Sequence, residues 1–276
     1  KFGFTQLPYR EEEAQRLLRF SSERREGIRN FVQIGIGGSA LGATALASSL
    51  RPPFSDHQPG GVRYFALDNV DPEETRALLD LLDPAQTLFH VVTKSGETTE
   101  TIAAFLAAMN RARNSMGDSW RRSFVITTGA KGFLRRVAEQ ERLPLFDIPE
   151  SVGGRFSVLS PVGLLPAAFL GIDLREILTG AILADQLCRR EDPRRNIAYM
   201  FSAMAHLMDR RGRRVHVMMP YSRALRDIAD WWRQLWGESL GKNASCGPTP
   251  LLALGSTDQH SQIQLFNEGP DDKYIV

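Results

Sequence analysis

Phe31-Val-Gln-Ile-Gly-Ile-Gly-Gly-Ser39 and Thr87-Leu-Phe-His-Val-Val-Thr-Lys-Ser-Gly-Glu-Thr-Thr99 share one plan: an apolar run that ends in a turn of glycines and hydroxyls. Residues of helical character follow each turn. Strand, tight turn and helix N-terminus together aim unpaired backbone N–H groups and the positive end of a helix dipole at one point. Two such turns in one parallel sheet make a pocket for a small dianion, and a phosphate ester is the first candidate.

Working outward, residues 30–150 alternate strand and helix. Strands are expected at 31–36, 62–67, 87–93, 123–128 and 144–148, with helices near 39–50, 72–82, 98–115 and 130–140. Strands separated by helices predict an α/β fold with a doubly wound parallel sheet and right-handed crossovers. Residues 31–36 are nearly all apolar, as a central strand covered on both faces should be. Helices are then expected over Val158–Leu170, Leu174–Leu187 and Asn196–Arg210. The charged stretch Arg189-Arg-Glu-Asp-Pro-Arg-Arg195 marks a boundary, giving domains 1–188 and 189–276. Past it, Val215–Met219 reads as a strand, Arg223–Trp236 as a helix, Leu251–Leu254 as a strand and Asp272–Val276 as an incipient one. This second α/β unit looks cut short. The start on Lys1 and the bare end at Val276 predict a fragment.

Composition is that of a globular protein, with 42% hydrophobic and 24% charged residues. A formal charge of +2 gives no electrostatic reason to expect nucleic acid or an acidic membrane as partner. No signal-like or membrane-length apolar run is present. Cys188 and Cys246, lacking Cys-x-x-Cys spacing, predict a reducing cytoplasm.

The first turn also fits the G-x-G-x-x-A dinucleotide fingerprint through Gly35, Gly37 and Ala40, with Asp68 as the acidic residue after the second strand. That reading leaves the second turn without a job, whereas Ser39 can donate to an anion. In the second turn Thr93, Ser95, Thr98 and Thr99 surround Lys94. Helix capping by Ser95 or Thr98 accounts for some of these hydroxyls but not for so many at one strand end. A phosphate taking five or six hydrogen bonds, at about 1 kcal/mol net each, is held at metabolite affinity.

Three later segments, in order, give the pattern a family. They are Val152-Gly-Gly-Arg-Phe-Ser-Val-Leu-Ser160, Gln234-Leu-Trp-Gly-Glu-Ser-Leu-Gly-Lys242 and Gly255-Ser-Thr-Asp-Gln-His260. With the two turns they resemble the phosphoglucose isomerase family, built from two sugar-isomerase (SIS) domains, over about residues 30–273. The resemblance implies a flavodoxin-like SIS domain followed by a second, apparently truncated one. It also implies interconversion of glucose 6-phosphate and fructose 6-phosphate through a cis-enediol, with no cofactor and no metal. Gly38 and Ser39 resemble the first-loop substrate contacts, and Thr93, Lys94, Ser95 and Thr98 the phosphate cradle. Arg155 resembles the arginine that steadies the enediolate, Gln234 a substrate-binding glutamine, Glu238 the catalytic base and His260 the ring-opening histidine. In relatives that histidine comes from the neighbouring subunit, which implies a homodimer with shared active sites. Two features depart from the family: Gly96-Glu97 beside the cradle, and the absence of the C-terminal segment that carries a catalytic lysine.

The chemistry suits these residues. One carboxylate can move a proton between adjacent carbons if it lies over that edge of the sugar. Leu225, Ile228, Ala229, Trp232, Leu235 and Trp236 form an apolar stripe, leaving Gln234 and Glu238 together on another face with Trp231. A plain solvated face is the bland alternative, as a salt-bridged loop arginine is for Arg155. A fixed cation near a developing oxyanion supplies a large share of catalysis, and imidazole carries a proton either way near neutrality. His90 and His216 alternate within strands and are expected to be packed. Competing functions are a non-catalytic sugar-phosphate-binding SIS protein, an NAD-dependent oxidoreductase and a dual glucose/mannose phosphate isomerase.

Overall fold

The computed structural model describes residues 2–276, in two compact units that divide between Glu176 and Ile177. The first unit runs α1 (Glu11–Arg24), β1 (Asn30–Ile34), α2 (Leu41–Ser49), β2 (Arg63–Leu67), α3 (Pro72–Leu81), β3 (Thr87–Thr93), α4 (Thr99–Met116), β4 (Phe124–Thr128), α5 (Phe133–Gln140), β5 (Leu145–Asp147) and α6 (Pro161–Phe169). Its five strands are all parallel, in the order β2-β1-β3-β4-β5. This is the doubly wound sheet expected from the strand–helix alternation.

Burial explains the composition of the central strands. Every residue of β1, β3 and β4 is buried, so alternation of polar and apolar residues gives way to continuous apolar runs. Val32, Ile34, Phe89 and Val91 pack with Leu79 of α3, Phe105 of α4 and Leu134 of α5. On the other face Phe31 meets Phe169 of α6, ring centroids 5.4 Å apart, and Phe169 meets Phe20 of α1 at 6.2 Å. Each fully buried phenylalanine of this kind contributes about 1.5–3 kcal/mol over an exposed one.

The strand order places the chain reversal between β1 and β3. The chain winds outward from β1 to β2, then returns across β1 to form β3. In open α/β sheets ligands bind beyond the carboxyl ends of the strands at this switch point. Both quoted turns leave those two carboxyl ends.

α7 (Leu174–Cys188) leads into the second unit, followed by α8 (Ile197–Arg210), β6 (Val215–Met218), α9 (Arg226–Leu240), β7 (Thr249–Leu252), α10 (Ile263–Glu268) and β8 (Lys273–Ile275). Its three strands are parallel in the order β7-β6-β8, so β6 lies between the two that follow it in the chain, as β1 lies between β2 and β3. Val217, Met219 and Ala253 form its small buried cluster, with Val215, Leu251 and Phe266 packed against it. Asn196 caps α8, accepting from the Tyr199 N–H at 3.1 Å and donating to the Cys188 and Arg190 carbonyls.

Two elements differ from expectation. α1 has no counterpart in the sequence reading, because only Ala14, Leu17 and Ser21 are buried on it and its apolar stripe is thin. α9 begins three residues later than expected, after a 3-10 turn at Arg223–Leu225, and Leu225 is exposed rather than part of the buried stripe. The same helix runs through Gly237 to Leu240, with Gly237 packed beside Pro250 of β7.

Candidate active site

In the first turn, glycine is required by crowding from the chain itself. A Cβ on Gly35 would lie 2.8 Å from Ser39 Cβ and 2.9 Å from the Val92 carbonyl oxygen, so the turn closes on itself and on the end of β3. Gly37 adopts φ 57°, a region that costs a side chain dearly. A Cβ on Gly38 would meet the backbone of Gly154 and Arg155 at 2.5 Å. Ser157 Oγ clasps the same contact, donating to Gly154 O at 2.7 Å and reaching Gly38 O at 3.4 Å. The close approach permitted by Gly38 is therefore used by the Arg155 segment. Phe4 stacks on Phe156 at 4.8 Å, and the Arg155 guanidinium lies over the Phe156 ring at 4.7 Å. Gly38, Ser39 and Arg155 are thus brought together.

The second turn is a knot of hydroxyls. Thr93 Oγ1 is 2.6 Å from Thr98 Oγ1 and 3.2 Å from Ser95 Oγ, and the last two are 3.3 Å apart. Thr98 occupies the N-cap position of α4, yet its side chain makes no capping bond. The backbone N–H that Ser95 Oγ accepts is that of Glu97, at 3.2 Å and ahead of α4, so neither hydroxyl caps the first turn of the helix as the bland reading required. The first-turn N–H groups of an 18-residue helix and three clustered hydroxyls therefore sit at one strand end. Glu97 is exposed.

Neighbouring segments hold this knot in shape. Gly96 has φ 72°, and a Cβ there would meet the Lys131 carbonyl oxygen at 2.8 Å. A Cβ on Gly132 would lie 2.4 Å from Ser95 O. Thr128 Oγ1 donates to Thr93 O at 2.6 Å. Lys94 behaves differently from the simple cradle cation that its position suggested. Its Nζ donates to the Glu150 carbonyl at 2.9 Å and the Val152 carbonyl at 2.7 Å, tying the second turn to the segment that leads to Arg155. Two of the three ammonium donors are occupied in this way.

In the second unit, Gln234 Nε2 donates to Glu238 Oε1 at 2.8 Å across one turn of α9, so these two residues share a face. This end of α9 lies beside the amino ends of the strands. Trp236 Nε1 donates to His216 Nδ1 of β6 at 3.1 Å, and Gly237 borders Pro250, the second residue of β7. His260 closes a 3-10 turn, Thr257–His260, beyond the carboxyl end of β7, and is exposed. Asp258 shapes that turn by accepting from the Leu254 N–H at 2.6 Å and Ser261 Oγ at 2.7 Å, and these bonds hold its carboxyl below the usual range. Glu238 and His260 of one chain therefore stand at opposite ends of the same small sheet.

The sequence reading expected His90 to be packed, as it is, but missed the row of residues that it joins beneath the turns. Gln33, His90 and Thr127 are fully buried and joined by hydrogen bonds. Burial pulls the His90 imidazole down to about 3, so it is neutral. The available signal was Gln33, a lone amide inside an apolar strand.

Comparison with known proteins gives the chain its relatives. The family model described as phosphoglucose isomerase matches residues 18–269. The chain is similar to glucose-6-phosphate isomerase of Carboxydothermus hydrogenoformans, 42% identical with 100% of this chain and 62% of that protein covered. It is 46% identical to glucose-6-phosphate isomerase of Rubrobacter xylanophilus, with 99% and 64% covered. A crystal structure of a glucose-6-phosphate isomerase from Chlamydia trachomatis superposes with a TM-score of 0.84 at 30% identity, covering 96% of this chain and 52% of that one. The chain spans less than two thirds of the length of these relatives.

Proposed function

The chain belongs to the phosphoglucose isomerase family, and we propose from this premise that the protein interconverts glucose 6-phosphate and fructose 6-phosphate through a cis-enediol. The observation that carries the proposal is the hydroxyl knot of Thr93, Ser95 and Thr98 at the side-chain-uncapped start of α4, set at the switch point of the sheet. A sugar phosphate takes its dianion there, receiving N–H and O–H donors and the helix dipole. Gly38 and Ser39 on the neighbouring strand end contact the sugar. Lys94 works chiefly by fixing the loop that presents Arg155, whose cation steadies the enediolate oxygen. Glu238, with Gln234 beside it, takes the proton from C2 and returns it at C1. His260 opens the ring.

A shared site in a homodimer fits the second unit. About 12 residues of helix at 1.5 Å rise separate the start of α9 from Glu238, roughly 18 Å. That length carries Glu238 towards the amino ends of β6 and β7 while His260 stays past the carboxyl end. A second copy can supply the histidine that one chain holds apart from its own carboxylate. No helix among the described residues is long and apolar enough to cross a membrane. Cys188 and Cys246 are free and exposed, in keeping with a reducing cytoplasm.

The decisive experiment is a crystal soaked with fructose 6-phosphate. Anion density within hydrogen-bond reach of Ser95 and Thr98 supports the reading. An anion bound elsewhere, or absent at saturating ligand, overturns it.

A further inference from the structure

We propose that Gln33 and His90 are positioning residues that hold the Ser39 turn in its ligand-facing form, through a buried hydrogen-bonded row running from β4 to β1. The row rests on four contacts. Thr127 Oγ1 lies 2.7 Å from His90 Nε2, and His90 Nδ1 lies 2.8 Å from Gln33 Oε1. Gln33 Nε2 then donates to Ser39 O at 2.8 Å and to Val162 O at 3.2 Å.

Its direction is fixed by chemistry. Both acceptors beyond Gln33 are carbonyls, so its amide nitrogen faces them and its oxygen faces His90. His90 Nδ1 must therefore carry the hydrogen, and Nε2 accepts from the Thr127 hydroxyl. The neutral ring that burial imposes provides one donor and one acceptor, as the row requires.

Gln33 also meets a need created elsewhere. Val162 O would accept from the backbone N–H of residue 166 within α6, but that residue is Pro166 and has none. Gln33 replaces the missing donor, which pins its amide plane between α6 and the first turn. An apolar side chain on β1 would fill this space without the desolvation cost of a buried amide. It could not sense where the Ser39 carbonyl lies. A fully satisfied buried polar row specifies one geometry, and here the specified group is the turn backbone.

This role rests on the reading of the Ser39 turn as a ligand contact, but its test does not. In His90→Leu the ring volume is largely kept and both hydrogen bonds are lost; in His90→Asn volume is lost and a donor to Gln33 is kept. Amide hydrogen exchange over residues 36–40 should quicken about tenfold in His90→Leu and stay within about threefold of the unsubstituted chain in His90→Asn. Gln33→Leu/His90→Leu, which leaves no buried polar group unpaired on β1 or β3, should keep core protection and lose protection of the turn. The nitrogen spectrum of His90 should report the Nδ1–H tautomer. Turn protection that is intact in the leucine variants, or worse in His90→Asn than in His90→Leu, would overturn the proposal by reducing His90 to a space-filling role. The opposite tautomer would overturn it as well. A fructose 6-phosphate titration of the unsubstituted chain separates the two ideas: absent binding defeats the sugar-phosphate reading, while the exchange pattern judges the row on its own.

Discussion

A Cβ placed on Gly38 would lie 2.5 Å from the amide nitrogen of Arg155. Backbone stands on both sides of that contact, so no rotamer change can relieve it. Gly38→Ala must push the Arg155 segment off the first turn and break the clasp made by Ser157. Overpacking of this kind costs about 1–3 kcal/mol. Thermal unfolding should move accordingly, and calorimetric affinity for fructose 6-phosphate should fall about tenfold or more. A variant with native affinity would mean that the two segments do not need this contact to bind ligand.

Thr98 makes no capping bond to α4, which separates its two conceivable jobs. Thr98→Ala should cost the fold about 1 kcal/mol or less, the value of a hydrogen bond to Thr93. Affinity for a sugar phosphate should fall roughly five- to tenfold, and the same loss is expected for Ser95→Ala. Binding measured against fructose and inorganic phosphate assigns the effect to the anion. A large stability loss with unchanged phosphate affinity would make these hydroxyls structural.

Lys94 is where sequence and structure part most usefully. Its place among hydroxyls was legible, but its two carbonyl partners lie 56 and 58 residues away, and no local pattern reveals such a pairing. The same limit hid the row under the turns: Gln33 is one amide in an apolar run, and His90 and Thr127 become its neighbours only through parallel pairing. The five-stranded sheet was readable because burial on both faces leaves continuous apolar strands between helices. Glu238 and Gln234 were readable as a pair because helical periodicity is local, and their 2.8 Å contact follows from spacing alone. Lys94→Met should therefore quicken amide exchange at residues 150–157 more than in the second turn itself. The reverse order would restore Lys94 to a purely anion-binding role.

His90 gives the first unit a defined acid sensitivity. Its neighbours in the row are Gln33 and Thr127, and the Phe31 ring meets it T-shaped with centroids 5.7 Å apart, so no ionised group offsets its burial. The folded imidazole titrates at about 3, against about 6.5 when unfolded. Between those values the unfolded chain binds the extra proton. Stability from this group is therefore complete above about pH 6.5 and is lost as the pH falls towards 3, by about 1.4 kcal/mol per unit. From pH 7 to pH 5 the opening free energy of β3 amides should drop about 2 kcal/mol more in the unsubstituted chain than in His90→Asn. Parallel profiles would show that His90 takes up its proton in the folded state.

The opposite placement of Glu238 and His260 on the second sheet makes a mixing experiment decisive for the proposed shared site. On the proposed isomerase reading, Glu238→Gln and His260→Asn should each lower turnover, the first by about 10²–10⁴-fold with little change in KM. If each site takes its carboxylate from one subunit and its histidine from the other, a dimer with one subunit of each kind contains one doubly altered site and one intact site. Co-refolding equal amounts of the two inactive variants should then restore roughly a quarter of the native turnover in a coupled assay, as random pairing around a two-fold axis requires. Sites built within single chains would stay altered in every pairing, and the mixture would remain as inactive as its parts.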